Sequence, residues 1–276
     1  MNFKRRNKYS ELLLALRLVT ILICSSCQKT TTAPNVSGVA SLTIVNAIPN
    51  SNPIIPVINT SQPIIYFNSA ISLLYGGNGY GFFYEYSPLA GKDTLCVVQN
   101  TDTLDVGPKT TGQLFYDILP FQKGEIYSLF LCGADTTLPD FLLTTDSLPY
   151  YPPGDSVMGI RFVNLSTNSN SISINLEGSQ NGSEVSNLVY KGITGFKTYV
   201  NNSSTADYMF VVRDAASGDS LTQFDFLNSG SGNYGFGLID PYNGTLLTFR
   251  NITIALIGQP GANASVPQST ILIDNY

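Results

Sequence analysis

Four cysteines (Cys24, Cys27, Cys96 and Cys132) are the strongest nucleophiles in this 276-residue chain, and no histidine accompanies them. Without histidine there is no Ser-His-Asp or Cys-His relay and no imidazole metal ligand. Cys96 and Cys132 lie in the body of the chain, in TLCVV (94–98) and LFLCG (129–133). In an oxidising compartment they could bridge; the other reading is two separate buried thiols acting as small apolar residues. Two thiols alone make a poor metal site, so neither metal nor cofactor is expected. Carboxylates such as Glu85, Asp102, Asp105 and Asp117 could hydrolyse a glycoside if two of them flanked a cleft about 5–10 Å apart. Unplaced, they read as solvated turn residues. The segments DTLDVG (102–107) and DPYNGT (240–245) carry too few spaced oxygens for a calcium loop. No catalytic residue is therefore assigned, and the chain is read as a non-enzyme.

YGGNGYGFFYEY (75–86) is the most unusual stretch. Its glycines free the backbone, and Tyr75, Tyr80, Phe82, Tyr84 and Tyr86 are candidate ligand contacts. Exposed, they would stack on sugar faces; packed inward, they are ordinary strand residues. A second pattern is Asp followed by Ser or Thr. It recurs at Thr94, Thr103, Thr136, Ser147, Ser156 and Ser220. These residues are similar to the O-glycosylation acceptors of some bacterial envelope proteins, and they are also favoured turn pairs.

The N-terminus gives an address. MNFKRRNKYS (1–10) is basic, LLLALRLVTILI (12–23) is apolar but for Arg17, and Ser25-Ser26 precede Cys27. That is the order of a secretory signal. The uninterrupted apolar run is too short to cross a bilayer, which takes about 20 residues. A cysteine directly after small residues resembles the lipobox of bacterial lipoproteins. The resemblance implies cleavage before Cys27 and a diacylglyceryl group on its sulfur. Cys24 does not fit, because bulky Ile23 would stand at the cut. Residues 1–26 are thus a signal peptide. Residues 27–40 are an acylated cysteine and a flexible tether, since QKTTTAPNVSG (28–38) shows no periodicity. Each buried acyl CH₂ contributes about 0.8 kcal/mol, so several chains anchor permanently. Gln28, where enteric lipoproteins use Asp for inner-membrane retention, implies the outer membrane, facing the periplasm or the surface. Removing residues 1–26 leaves nine basic against eighteen acidic residues, a net of −9. Such a body is repelled by phosphate backbones, so nucleic acid is excluded as a partner.

Beyond the tether, only 12% of the whole chain is charged and Gly, Pro, Asn, Ser and Thr abound. Short alternating or apolar runs recur, among them SLTIVNAI (41–48), IYSLFLCG (126–133), GIRFVN (159–164), SISINLEG (171–178), DYMFVVRD (207–214) and ITIALIG (252–258). Each is bounded by turn residues, and no helical period is seen. The expectation is an all-β chain.

The runs also repeat. LTIVNAIPNSNPI (42–54) aligns with IRFVNLSTNSNSI (160–172), an offset of 118. YSLFLCG (127–133) aligns with ITIALIG (252–258), an offset of 125, and Asp146 with Asp274, an offset of 128. A growing offset is what loop insertions in a duplicated domain produce. The boundary falls at LPYYPPGDS (148–156), a stiff connector. The expectation is thus two tandem immunoglobulin-like antiparallel β-sandwich domains after a lipoprotein signal peptide, at 41–150 and 157–276, joined by a Pro-rich connector at 151–156.

The lipobox, the IVN and FVN strands that open each half and the closing Asp strands resemble the domain of unknown function 4397. The resemblance implies a bacterial envelope lipoprotein and transfers no catalytic residue. The leading expectation is an adhesion, scaffolding or ligand-binding module held to the membrane by its lipid and contacting envelope proteins or glycans. The alternative is a carbohydrate-binding accessory using the 75–86 aromatics. A third is a glycoside hydrolase working with carboxylates alone.

Overall fold

Strands β1 (Ser41–Asn46) and β6 (Ile126–Gly133) run side by side in the same direction, a parallel pair in an otherwise antiparallel setting. They belong to a computed structural model that describes residues 38–58, 72–77, 84–99, 113–152, 154–201, 208–225, 249–261 and 263–275. The described residues hold strands and turns and no helix. β3 (Tyr84–Tyr86) and β7 (Pro139–Thr145) complete a sheet of order β3-β1-β6-β7. β2 (Ile54–Ile58), β4 (Gly91–Gln99) and β5 (Gln113–Phe121) form the facing sheet, order β2-β4-β5.

The second half repeats this. β8 (Val157–Asn164), β11 (Lys197–Val200), β14 (Asn251–Ile257) and β15 (Ser269–Asp274) give the order β11-β8-β14-β15. β9 (Ile172–Leu176), β10 (Val185–Leu188), β12 (Met209–Asp214) and β13 (Ser220–Asp225) give β10-β9-β12-β13. Again the first strand lies parallel to the penultimate one, β8 beside β14. The all-β, largely antiparallel expectation holds, and each half adds one parallel pair to it. The reason is the length of the intervening chain: a parallel neighbour needs a long crossover, and here the crossover is the other sheet of the sandwich. Two-layer packing is shared with immunoglobulin domains, whose sheets run ABED and CFG; the strand order here is its own.

Duplication is visible in the register. Ser41 faces Ile126 and Gly159 faces Asn251, so positions 118 and 125 apart meet in both halves. The third alignment shifts by one. The Asp146 N–H donates to the Ile126 carbonyl at 2.7 Å, and the Asn275 N–H donates to that of Asn251 at 2.7 Å. The counterpart of Asp146 is therefore Asn275, and Asp274 instead pairs with Arg250 at 3.3 Å.

Three apolar layers follow from alternation along these strands. Leu42, Ile44, Leu95, Val97, Leu129 and Leu131 fill the first sandwich. Ile160, Phe162, Ile172, Phe210, Ile252 and Ile254 fill the second. The opposite faces of β1, β6, β8 and β14 supply Val45, Phe130, Cys132, Val163, Ala255 and Ile257 to a layer shared by both halves. Strands buried on both faces read as continuous apolar runs, and all seven residues of β14 are buried. Each large side chain so buried contributes about 1.5–3 kcal/mol. Residues Gly38–Tyr276 form one compact unit.

Charge crosses the shared layer. Arg161 reaches Asp146 through two nitrogens, at 2.7 and 3.0 Å, with both side chains almost wholly buried. The same carboxylate accepts from Ser128 at 2.6 Å and Thr144 at 2.9 Å. Arg161 Nε donates to Thr253 at 2.8 Å, and Thr253 in turn donates to Asn275. Every lone pair of the carboxylate is thus in use, the condition under which a buried pair is tolerated. Lys191 and Asp140 add a half-exposed pair between the halves, at 2.9 Å.

Candidate functional site

The sequence singled out residues that the fold scatters. Cys27, Tyr80, Phe82, Thr103, Asp102 and Asp105 lie outside the described residues, as does the 240–245 turn. Tyr84 pairs with Ile44 in β3. Tyr75 packs against the layer shared by the halves, and burial pushes its phenol up to about 12. Tyr86 packs against the first core. Neither contributes to an exposed row. Glu85 is exposed in β3, while Asp117 is exposed in β5, a different sheet, and accepts from the Ile118 N–H at 2.7 Å.

Cys96 and Cys132 are buried and not bonded to each other in the structure, the arrangement of two separate thiols. Leu95 and Val97 point into the first core, so Cys96 faces the other way, beside Ile55 and Val98. Leu129 and Leu131 point inward too, so Cys132 faces the shared layer. The two thiols sit on the outer faces of opposing sheets with the core between them. Cys132 accepts a hydrogen bond from the Tyr190 hydroxyl at 3.3 Å, and burial pushes its thiol up to about 11.

Among the Asp-Ser/Thr positions, Ser147, Ser156 and Ser220 are exposed, while Thr94 and Thr136 are half-buried. Asp146, the acid before Ser147, is committed to Arg161.

What the fold does bring together is the repeated Asn-rich turn. Asn46 closes β1 with its side chain buried. Its amide nitrogen donates to the Leu73 carbonyl at 3.2 Å and to Ser51 Oγ at 3.0 Å, and its oxygen accepts from the Ile48 N–H at 3.1 Å. Asn164 does the same with Leu188 O at 3.1 Å, Ser169 Oγ at 3.4 Å and the Ser166 N–H at 3.1 Å. The turn so held puts Asn50 and Asn168 at φ of 58° and 60°, left-handed values that asparagine tolerates better than most residues. The last asparagine of each turn reaches sideways: Asn52 donates to Gln99 Oε1 at 3.3 Å, and Asn170 to Asp214 Oδ2 at 2.7 Å. The Ser217 N–H above all, then Asn170, holds the Asp214 carboxyl below its usual range.

The turn after β14 joins this end. Gln259 Nε2 donates to the Ala134 carbonyl at 2.7 Å, Gln268 Nε2 to Ser166 Oγ at 2.9 Å, and Asn50 Nδ2 to Ser265 Oγ at 2.8 Å. Both halves therefore clamp one loop. Asn168, Gln259, Pro260, Gly261, Asn263 and Ala264 line an open concavity of about 430 Å³. On the other flank of the second turn, Asn170, Ser171, Asn187, Ala215 and Ala216 line one of about 390 Å³. Among the described residues, no lining residue of either is charged. Sequence reading quoted the NSN pairs as evidence of duplication and missed them as a surface. Their signal was uncharged hydrogen-bonding residues recurring at the same point of each half.

Among the described residues, no three His, Cys, Asp or Glu side chains group as metal ligands, and no helix is long and apolar enough to cross a membrane. No protein-family model matches the chain, and no curated protein matches it. Among solved structures, the chain is similar to a family 26 carbohydrate-binding module of Eubacterium rectale in complex with maltoheptaose. The two are 10% identical over 86% of this chain and 97% of that one, with a TM-score of 0.26. It is also similar to a streptococcal virulence factor described by its alpha-glucan binding, 11% identical over 78% of this chain and 93% of that one, with a TM-score of 0.23. Likeness at these scores establishes neither ligand nor topology.

Proposed function

We propose that this chain is a non-catalytic binding module of the bacterial envelope, acylated at Cys27 and presenting the Asn-rich end of its two fused sandwiches to a ligand. The observation that carries the reading is the joint end itself. Two equivalent turns, braced from within by Asn46 and Asn164, meet one clamped loop, and two concavities with no charged described lining residue flank the second turn. A frame whose turns are already fixed by internal hydrogen bonds loses little entropy on binding. The basic start, the apolar run and Ser25-Ser26-Cys27 support the lipid anchor and an outer-membrane location. Adhesion, scaffolding and ligand capture all use such a surface.

Capture from isolated envelopes tests the reading. The detergent-solubilised full chain is immobilised beside a variant with Asn50→Gly, Asn52→Ala, Asn168→Gly and Asn170→Ala. Envelope material retained by the first and lost by the second supports it, whereas equal retention refutes the assigned end. Labelling cells with an alkynyl fatty acid checks the anchor: Cys27→Ala should abolish incorporation. A glycan platform at 75–86 has less support, because Tyr75 and Tyr86 pack inward. If the exposed serines Ser147, Ser156 and Ser220 carry glycan, native mass spectrometry will find hexose-sized additions there.

A further inference from the structure

Within the binding reading just given, on which this rests, we infer that the concavity between Asn168 and the loop after β14 is the ligand site, and that it takes a neutral, hydroxyl-rich ligand, a glycan. The duplication supplies an internal comparison. In the first half, Gly133 pairs with Pro139 and a five-residue turn, 134–138, joins β6 to β7. That turn closes on itself: Asp135 Oδ1 accepts from the Thr137 N–H at 2.7 Å, the Thr137 hydroxyl at 2.6 Å and the Leu138 N–H at 3.2 Å. In the second half, Ile257 pairs with Ser269, so nine residues, 259–267, span the equivalent place. The four extra residues account for the growth of the offset from 125 to 129, and this longer loop supplies five of the six described lining residues. The halves also differ elsewhere, in a fourth strand, β10, of the second facing sheet and in the length of chain between β13 and β14; the longer β14–β15 loop is the difference that borders the concavity.

The longer loop is pinned at both ends. The Gln259 N–H donates to the Val266 carbonyl at 2.9 Å, while Gln259 and Gln268 side chains hold Ala134 and Ser166. Gly258, at φ of 87°, passes so close to Pro267 that a Cβ there would lie 2.4 Å from its carbonyl oxygen. Asn168, on the neighbouring turn, and Asn263, in the pinned loop, are both exposed. An amide donates through nitrogen and accepts through oxygen, the pair of roles a sugar hydroxyl also plays. No described lining residue offers a counter-charge, so a charged ligand would lose hydration without compensation. The volume lies within the range of small-molecule pockets, about 300–1,000 Å³.

Native electrophoresis of the full chain through gels containing neutral glucans, mannans or galactans reads this out, with polygalacturonate as the acidic control. At least one neutral polysaccharide should retard the chain. The double variant Asn168→Gly and Asn263→Ala should weaken that retardation by about tenfold or more, given two lost hydrogen bonds. Asn181→Ala, exposed elsewhere, should leave it unchanged. Deleting 261–264 to match the first-half turn should abolish it, with circular dichroism confirming strand content; if that deletion misfolds, the point variants still decide. Retardation unchanged in the double variant, retardation by polygalacturonate alone, or none at all overturns the inference. If none is seen while envelope proteins are still captured through the Asn-rich end, the ligand class fails and the binding reading stands. If neither is seen, both fail.

Discussion

Asp146 and Asn275 occupy the same place in the two halves, one residue beyond β7 and β15 respectively, with backbones bonded to Ile126 and Asn251. Each accepts a hydrogen bond from the hydroxyl at the equivalent strand position, Ser128 for Asp146 and Thr253 for Asn275. The difference is charge, and Arg161, whose counterpart in β1 is Thr43, answers it. The duplicated frame has become an asymmetric pair locked by one buried ion pair.

Asp146→Asn removes the charge and leaves Arg161 buried without a counter-charge. Denaturant unfolding should show a loss of about 3–5 kcal/mol. Adding Arg161→Thr, which copies the Thr43 and Asn275 chemistry, should recover at least half of it. No recovery would mean that the pair does not act as a unit.

The two turn-bracing asparagines do the same work, so Asn46→Ala and Asn164→Ala should cost similar amounts, about 1–3 kcal/mol each for a buried amide and its stranded partners. Separate denaturant titrations of the two variants check this. A cost in one half alone would contradict the equivalence.

Acid sensitivity should come partly from Glu184. Burial alone would raise its pKa, but Lys197, at 2.7 Å, and the Tyr199 hydroxyl outweigh burial and hold it below its ordinary 4.5. A lowered folded pKa gives stability that is present above 4.5 and lost as pH falls through the folded value. Unfolding free energy measured from pH 6 downward should fall less steeply in Glu184→Gln. Tyr199, raised by burial and then by Glu184, acts at the other end, stabilising below its ordinary 10.0 and losing this as pH rises beyond it.

Thiol counting separates the cysteine readings. After blocking the native protein with a maleimide and then denaturing it without reductant, Cys96 and Cys132 should both react. Two unreactive thiols that appear only after reduction would indicate a bridge, contrary to their opposite facing.

Strands were legible because each buried run is short and ends in a turn residue; β1, β6, β8 and β14 lie where their apolar runs lie. The facing of Cys96 and Cys132 was not, because apolar residues flank both sides of those strands and hide which side is the core. Asp274 drew the repeat off by one because it matched Asp146 in type, whereas hydrogen bonding selects Asn275. Arg161 inside GIRFVN did carry a signal: a lone cation within an apolar run implies a buried partner. The concavity depends on which loops meet at one end, and no local pattern encodes that. The insertion that builds it was present only as a drifting offset.

Hydrogen–deuterium exchange on the full chain, with and without the neutral polysaccharide that retards it, tests the Asn-rich end most directly. Protection should appear at 166–170 and 259–264, extending to 50–52, with little change at 84–86. Protection confined to 84–86 or to the β5 edge, with the Asn-rich turns unaffected, would contradict the assignment.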